Sequence, residues 1–498
     1  MKTKLGKLVT FLACTIALLI FFYSVSYSGS TTAQPAFVNN LPAGYTAFSG
    51  QLTMGKSCTC ATGGISGAPP PPPLCGTSFC FGSSNTRYGS ISTNVTGITS
   101  TVCGRGAGPP CFQLDGDDAL VISGSMFPVQ NLTYYSFTAY QSFTYNPQLP
   151  SNYDEIRTSI NLGLNNANLK IGSDGRYVLI LTANTNTLNV LKNSLRATGI
   201  SDEVINTYII PASVANLGTA SYPDQLSLYL RLTVQSEVEK QQVEAFVNQT
   251  APATQVLFIK GPGVNGDATF NDIPNWEDTL RVNNIEYRTG LDQRLIELEQ
   301  AVTNLYAQKG YRLKARLTES FNHTDADECR TKLSNCNYNS PDALYTSFLC
   351  DISPISVRTG ICNFKLAANS DDVLMLLGIN HSLVGAKTLA AFIAEESRTT
   401  PASDSKDGTF AFVGLYTQDS ANQYFVRKNR RKDSKLYAVK IVRNCGNELY
   451  CVAIPYLGGT PEKTGFYITG RIYLDKVTGS GPNPANLVPS ALLWFTRS

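Results

Sequence analysis

Histidine, tryptophan and charged residues are scarce in this sequence. Of its 498 residues, two are histidine, two are tryptophan and only 15% are charged. A zinc site or a histidine-based catalytic triad would have to use His323 or His381, and no HExxH, GxSxG or CxxC pattern is present. So low a charge content is unusual for a soluble cytosolic protein. We therefore predict neither a metal nor a cofactor.

The sequence also lacks a basic surface for nucleic acid. The net charge is +3, and lysine and arginine are scattered along the chain. One dense basic run, residues 427–432, has no interleaved aromatic residues, which is typical of a solvated loop. We expect no nucleic-acid partner.

The N-terminus has the pattern of an export signal. Three lysines precede an apolar stretch over residues 8–27, which predicts insertion with the N-terminus inside. A retained anchor needs about 17–25 apolar residues and a cleaved signal peptide about 7–15, so both remain open and we favour the anchor. We predict a cytosolic tail (1–7), a signal anchor or signal peptide (8–27) and a linker (28–43). The protein would contact the membrane through this N-terminal hydrophobic helix, single-pass with the C-terminal part extracytoplasmic, or be secreted.

Twelve of the 13 cysteines lie beyond the apolar stretch, in two groups of six. An even number of clustered cysteines behind an export signal predicts disulfides rather than zinc. The predicted disulfide cysteines are Cys58, Cys60, Cys75, Cys80, Cys103, Cys111, Cys329, Cys336, Cys350, Cys362, Cys445 and Cys451. The last two flank a predicted hairpin turn at Gly446. Five Asn-x-Ser/Thr sites would permit glycosylation, at Asn94, Asn131, Asn248, Asn322 and Asn380.

Residues 44–260 and 310–498 read as two copies of one domain, because several patterns recur in the same order. In each copy a pair of aspartates precedes an apolar strand, and a glycine follows at the same distance: Asp117-Asp118 with Gly124, and Asp371-Asp372 with Gly378. A later apolar strand contains Arg231 in the first copy and Arg471 in the second. We therefore predict an internal duplication.

Short strands and Asp-Gly turns predict a mainly β fold. We expect two tandem related antiparallel β-sandwich (jelly-roll-like) domains with disulfide-rich loops, joined by a linker over residues 261–309. Two helices interrupt this pattern: a short one over Leu188–Leu195 and an amphipathic one over Leu291–Gln308. The apolar face of the second would contain Leu291, Leu295, Leu298, Val302 and Leu305.

One stretch, residues 117–234, resembles a family of bacterial envelope proteins that carry a domain of unknown function. The matching patterns are Tyr134–Tyr140, Ile171–Gly175, Ile210-Pro211 and Leu230–Leu232. The resemblance implies a jelly-roll-like sandwich, often in tandem, and no established activity. The tryptophans characteristic of that family are absent from this stretch.

Catalytic candidates are few. The aspartate pairs Asp117/Asp118 and Asp371/Asp372 would suit a calcium site or a general acid–base pair. The alternative, which we favour, is that one aspartate of each pair caps a turn and pairs with an arginine such as Arg231 or Arg471. His381 follows the strand that Asp371-Asp372 precede, so a His–Asp pair is conceivable.

Two functions remain. We favour a non-enzymatic ectodomain, a binding or structural module on a cell or virion surface with a protein or glycan ligand. The alternative is a secreted or anchored hydrolase that uses carboxylate acid–base chemistry. Two acids that converge within one copy would favour the hydrolase.

Overall fold

The structure is a computed structural model. It describes residues 35–55, 86–93, 111–149, 153–218, 223–234, 237–263, 269–270, 285–322, 326–333, 336, 340–348, 364, 366–367, 370–381, 387–396, 410–414, 420–425, 435–446, 448, 450–453, 464–475 and 479–497. The chain divides into two units, Met1–Asn40 and Leu41–Ser498. The described part of the first contains a 3-10 helix over Ala36–Asn40. The second contains two large β-sheets.

The first sheet lies in the N-terminal half of the chain. Its strands are β1 (Thr46–Met54), β2 (Thr86–Thr93), β3 (Ala119–Ser125), β4 (Tyr134–Tyr145), β5 (Tyr153–Ser159), β6 (Leu164–Asn165), β7 (Arg176–Thr182), β8 (Ile205–Ile209), β9 (Gln225–Thr233) and β10 (Gln255–Lys260). Their order in the sheet is β5-β4-β9-β2-β1-β10-β3-β7-β8, and β6 pairs with β4.

The second sheet follows in the C-terminal half. Its strands are β11 (Tyr311–Asn322), β12 (Ala343–Phe348), β13 (Val373–Ile379), β14 (Lys387–Glu396), β15 (Phe410–Gly414), β16 (Leu436–Val442), β17 (Cys451–Ala453), β18 (Thr464–Tyr473) and β19 (Ala491–Arg497). Their order is β15-β14-β18-β12-β11-β19-β13-β16-β17.

The two sheets have the same topology. When β6 is left aside, the first to ninth strands of each half occupy the same places in their sheets, from β5 and β15 at one edge to β8 and β17 at the other. The duplication hypothesis requires this agreement, because a different order in the two halves would have refuted it. The mainly β fold is thus confirmed, as two curled sheets.

The expectation of purely antiparallel sheets is wrong, because each sheet contains one parallel pair. In the first sheet β7 and β8 run parallel, and a helix over Thr185–Ala197 forms the crossover between them. In the second, β16 and β17 run parallel and the disulfide Cys445–Cys451 closes the short loop between them. The hairpin predicted at Gly446 is therefore wrong, although the two cysteines are bonded.

A glycine, a tyrosine and a hydroxyl recur at equivalent places in the two sheets. Gly124 of β3 lies opposite Tyr177 of β7, and a Cβ at Gly124 would lie 2.9 Å from Thr254 Oγ1. In the second sheet Gly378 lies opposite Tyr437, whose hydroxyl lies 2.9 Å from Ser490 Oγ. A Cβ at Gly378 would lie 2.5 Å from Ser490 Oγ. The glycine therefore leaves space for the buried polar contact.

The helices cover the sheets. They are α1 (Thr185–Ala197), α2 (Glu237–Ala245), α3 (Ile285–Arg288), α4 (Leu291–Gln308) and α5 (Ala326–Thr331). Asn184 caps α1 by accepting a hydrogen bond from Thr187 N at 3.0 Å.

None of the described helices is long and apolar enough to cross a membrane. The predicted N-terminal hydrophobic helix, residues 8–27, lies outside the described residues.

Helix α4 has the predicted bounds and packs on the second sheet. Four of the five predicted apolar positions are buried, and Tyr306 is buried in place of the half-buried Leu305. The ring of Tyr306 stacks on Phe495 of β19 with centroids 4.7 Å apart. Gly310, with φ +78°, follows the helix where the chain enters β11.

Candidate functional site

The first aspartate pair fixes the end of β10. Asp118 Oδ1 accepts a hydrogen bond from Gly261 N at 2.9 Å, and its Oδ2 lies 3.0 Å from Lys260 Nζ. Asp117 Oδ2 accepts a hydrogen bond from Gly263 N at 2.7 Å. These carboxylates therefore bind the backbone and lysine at the end of the neighbouring strand.

Lys260 and backbone N–H groups offset the negative charge of Asp118 in this pair. Burial raises the pKa of Asp118, although the N–H groups of Gly261 and Asp115 and the ammonium of Lys260 oppose the rise. Lys260 also pairs with Asp115. Burial lowers the pKa of Lys260, but its two carboxylate partners more than offset this and raise it.

The second aspartate pair occupies the equivalent place beside β19. Trp494 Nε1 donates to Asp372 Oδ2 at 2.9 Å, and Arg497 Nη1 lies 3.1 Å from Asp371 Oδ2. Asp371 therefore pairs with an arginine, as expected, but the arginine is Arg497. Arg231 and Arg471 were the wrong candidates, because each aspartate pair binds the adjacent last strand of its own sheet. No hydrogen bond or ion pair joins the two aspartate pairs in the described part of the chain.

His381 is fully buried and lies at the far end of β13 from the aspartates. The seven residues of β13 separate them by about 20 Å or more. Nδ1 of His381 lies 2.9 Å from Glu286 Oε1, and Glu286 Oε2 accepts a hydrogen bond from Val488 N at 2.8 Å. The conceivable His–Asp pair is therefore wrong, and the partner is a glutamate of α3. His323 lies outside the described residues.

Two cysteine pairs are disulfide-bonded in the described residues. Cys329 and Cys336 have their Cα atoms 6.1 Å apart, and Cys445 and Cys451 5.7 Å. Cys111 is disulfide-bonded as well. The other predicted cysteines lie outside the described residues: Cys58, Cys60, Cys75, Cys80, Cys103, Cys350 and Cys362.

The glycosylation candidates lie at varied places. Asn131 and Asn248 are exposed, Asn380 is half-buried after β13, and Asn322 ends β11. Asn94 lies outside the described residues. Among the described residues, no group of three or more His, Cys, Asp or Glu side chains could hold a metal ion.

The most unusual polar cluster lies between the two sheets, and the sequence analysis did not identify it as a site. On β9, Arg231 lies opposite Tyr88 of β2, and its Cζ is 5.2 Å from the Tyr88 ring centroid. On β18, Arg471 lies opposite Tyr345 of β12 at 5.1 Å. The two Arg–Tyr pairs occupy equivalent strands of the two sheets.

These pairs meet across the interface. Arg471 Nη1 donates to the Tyr88 hydroxyl at 3.0 Å and contacts the Tyr473 hydroxyl at 3.4 Å. Arg231 Nη2 donates to the Tyr140 hydroxyl at 3.4 Å. We call Tyr88, Arg231, Tyr345 and Arg471 with their neighbours Tyr134, Tyr140, Tyr473 and Asp342 the Arg–Tyr cluster.

Asp342 is the carboxyl group of the Arg–Tyr cluster. It comes from the second half of the chain, is fully buried, and accepts a hydrogen bond from the Tyr134 hydroxyl at 2.9 Å. Gly163 N donates to Asp342 at 3.3 Å. The rings of Tyr134 and Tyr473 lie 4.2 Å apart. These contacts join the two sheets through a polar, aromatic interface.

The cluster brings the pKa values of two of its members, Tyr88 and Asp342, closer to neutral pH. Burial raises the pKa of Tyr88, but the guanidinium charges of Arg231 and Arg471 outweigh it and lower the pKa to about 8. Burial raises the pKa of Asp342 to about 6, against hydrogen bonds from Tyr134 and Asn165 and the charge of Arg231. Perturbed groups in one cluster are typical of functional sites, although structural networks also produce them.

A sequence signal for this cluster existed. Arg231 interrupts the apolar strand Leu226–Leu232, and Arg471 does the same in the equivalent strand. A charged residue at the same place in two apolar strands indicates a paired or functional position. The residues that complete the cluster are distant in sequence and carry no such mark.

No family model and no curated protein matches the chain. A solved structure of an uncharacterized protein from Burkholderia cenocepacia aligns with 83% of this chain and 78% of its own, at 11% identity and a TM-score of 0.35. The cryo-EM structure of broad bean stain virus aligns with 95% of this chain and 93% of its own, at 7% identity and a TM-score of 0.17. At these TM-scores neither likeness bears on function, and the resemblance of residues 117–234 to the bacterial envelope family stays a prediction.

Proposed function

We propose that this chain is an exported, disulfide-stabilised ectodomain that serves as a binding or structural module on a cell or virion surface. Its two sheets would descend from one duplicated domain, each half being a jelly-roll-like sandwich. The equal strand orders and the recurring Gly124–Tyr177 and Gly378–Tyr437 contacts support the duplication. The apolar N-terminal stretch and the disulfides support export.

The observation that carries this proposal is that the candidate catalytic groups are already bound within the fold. His381 is buried against Glu286. Asp118 binds Lys260 and backbone N–H groups, and Asp372 binds Trp494. A general acid or base must reach a substrate proton, within hydrogen-bonding distance or through one water. Such groups stabilise the sheets instead.

Fractionation of cells that express the full chain tests the export. We expect the protein in membranes or medium, cleaved by protease added to intact cells, with Cys329–Cys336 and Cys445–Cys451 bonded in non-reducing mass spectrometry. A matched chain without residues 1–27 should stay inside with free thiols. A full chain that remains cytosolic and reduced would contradict export.

Substitutions of the candidate catalytic aspartates distinguish a binding module from a hydrolase. Purified full-length protein is incubated with cell-surface polysaccharides, and both retention and hydrolysis are measured. We expect saturable retention that Asp118→Asn and Asp372→Asn leave unchanged. Hydrolysis that these substitutions abolish, while the circular dichroism spectrum is kept, would favour the hydrolase instead.

A further inference from the structure

Arg231 is a buried cation whose donors are largely unused. The residue is 3% exposed, and its Nε and Nη1 have no hydrogen-bond partner among the described residues. Nη2 makes one long contact, to Tyr140, and the guanidinium also interacts with the hydroxyl of Tyr88. A buried charged donor without a hydrogen-bond partner is strongly unfavourable. A hydrogen-bond acceptor placed beside Nε and Nη1 of Arg231 would therefore be strongly stabilised.

Arg471 brings a second cation to the same place. Its Nη1 reaches the Tyr88 hydroxyl, over whose ring Arg231 lies. Within the described residues, neither guanidinium forms an ion pair with a carboxylate. Asp342 is the carboxyl group of the cluster, and it already accepts hydrogen bonds from the Tyr134 hydroxyl and from Gly163 N. The charge of Asp342 acts on Arg231, and its oxygens are already hydrogen-bonded.

We propose that Arg231, Arg471 and Tyr88 form a binding site for an oxyanion between the two sheets. A guanidinium presents paired N–H donors that match the oxygens of sulfate, phosphate or carboxylate groups. Arg471, Tyr88 and Tyr345 are each half-buried, whereas Arg231 is 3% exposed. The site goes beyond the proposed function and does not depend on export.

Tyr88 couples this site to pH. The titratable and charged groups of the cluster are Tyr88, Arg231, Arg471, Tyr134, Tyr140, Tyr345, Tyr473 and Asp342. Because both arginines stabilise an ionised Tyr88, its phenolate and a bound oxyanion compete for the same positive charge. The oxyanion therefore binds best when Tyr88 is neutral, and its binding raises the pKa of Tyr88.

The probe for this site is inorganic sulfate, added to the purified full-length protein in place of chloride at constant ionic strength. At about pH 6, where a phenol of pKa near 8 is about 99% neutral, calorimetry should give saturable binding of one sulfate. Arg471→Gln should weaken it at least about tenfold, the loss expected for one charge-assisted contact. The matched control Arg316→Gln removes a surface arginine that pairs with Glu299 and should leave binding unchanged.

A pH series keeps the test decisive even if Arg471→Gln fails to fold. At about pH 9 about 90% of Tyr88 is ionised, so the wild type should bind sulfate about tenfold more weakly than at pH 7, where Asp342, with a pKa of about 6, is already about 90% ionised. Tyr88→Phe keeps the ring but cannot ionise, so its affinity should not fall over this range. Absence of saturable binding at pH 6, equal affinity in folded Arg471→Gln, or an equal loss with pH in Tyr88→Phe would overturn the proposal.

A second arm identifies the source of the oxyanion. A sulfated oligosaccharide replaces inorganic sulfate in the same titration. Binding at least about tenfold tighter that still requires Arg471 assigns the site to an anionic glycan. Equal affinities assign it to a free ion. Tighter binding that does not require Arg471 would place the glycan elsewhere and count against this site.

Discussion

Raising the pH should ionise Tyr88 about two pH units before an ordinary tyrosine. Its pKa falls from 10.0 to about 8 because, although burial raises it, the charges of Arg231 and Arg471 lower it further. At pH 8 Tyr88 should be half ionised, whereas a tyrosine with a pKa of 10 is about 1% ionised. A set of 24 phenols with the ordinary pKa of 10 would contribute about 0.24 tyrosinate equivalents at pH 8, against about 0.5 from Tyr88.

The same shift predicts a rise in stability with pH. A tyrosine whose pKa is lower in the folded state releases its proton earlier there, so the free energy of unfolding rises as pH increases from about 8 to about 10. A shift of about two units corresponds to about 3 kcal/mol. Below about pH 7 the phenol is almost entirely neutral in both states, so its contribution to the pH dependence of stability vanishes.

The assay is a spectrophotometric titration of tyrosinate in full-length wild type and Tyr88→Phe, in a buffer without oxyanions. We expect the difference between the two curves to be one tyrosinate with a midpoint near pH 8. Tyr135→Phe is the matched control, because burial raises the pKa of Tyr135 to about 12 and its loss should not alter this region. Identical wild-type and Tyr88→Phe curves below pH 9 would refute the placement of Tyr88 between two guanidinium groups.

Three further outcomes follow from buried groups. Because the pKa of Asp342 rises from 3.8 to about 6 on folding, urea titrations should show stability falling by about 3 kcal/mol as pH rises from about 4 to 7, and Asp342→Asn should lose this fall. Gly378→Ala should lower stability by about 1–3 kcal/mol through overpacking against Tyr437, and an unchanged melting temperature would contradict the close packing. Glu286→Gln should lower stability by about 1–3 kcal/mol, because it disturbs the buried contacts of the carboxylate with His381 Nδ1 and Val488 N; an unchanged melting temperature would contradict the importance of these contacts.

Local patterns predicted the local structure well. The 3–4 spacing of apolar residues gave α4 its bounds, and the run around Leu191 gave α1. The one error in α4 has a simple cause: Tyr306 lies four residues after Val302 and is the side chain that reaches Phe495. Spacing alone does not distinguish it from Leu305, because either position lies on the same side of a helix.

The two parallel strand pairs were not predicted from the sequence patterns. In the first half, a short helix between two apolar strands is the sequence form of a β-α-β crossover, and reading it as an interruption hid the parallel pair β7–β8. In the second half no helix stands between β16 and β17. The sequence there offers only two cysteines and a glycine, which fit an antiparallel hairpin equally well.

The Arg–Tyr cluster could not be assembled from the sequence, because its contacts join positions hundreds of residues apart. The hydrogen bond from Arg471 to Tyr88 spans 383 residues, and that from Tyr134 to Asp342 spans 208. The repeat did mark Arg231 and Arg471 as equivalent. It led to the wrong partner because an aspartate pair also recurs in each half and offered a nearer source of negative charge.

The proposed duplication would account for the unusual charge of the interface. If one sheet carried an Arg–Tyr pair on its exposed face, a copy of that sheet carries the same pair, so packing the two faces brings like charges together. Arg231 and Arg471 occupy equivalent strands and do meet in this way, with Tyr88 between them. Asp342 of the second half relieves part of this repulsion, because its charge interacts with Arg231. One carboxyl group does not balance two guanidinium groups, so further relief comes from a phenolate formed at Tyr88 or from an oxyanion in solution. The interface of a duplicated cationic face is therefore a natural place for an anion site to arise.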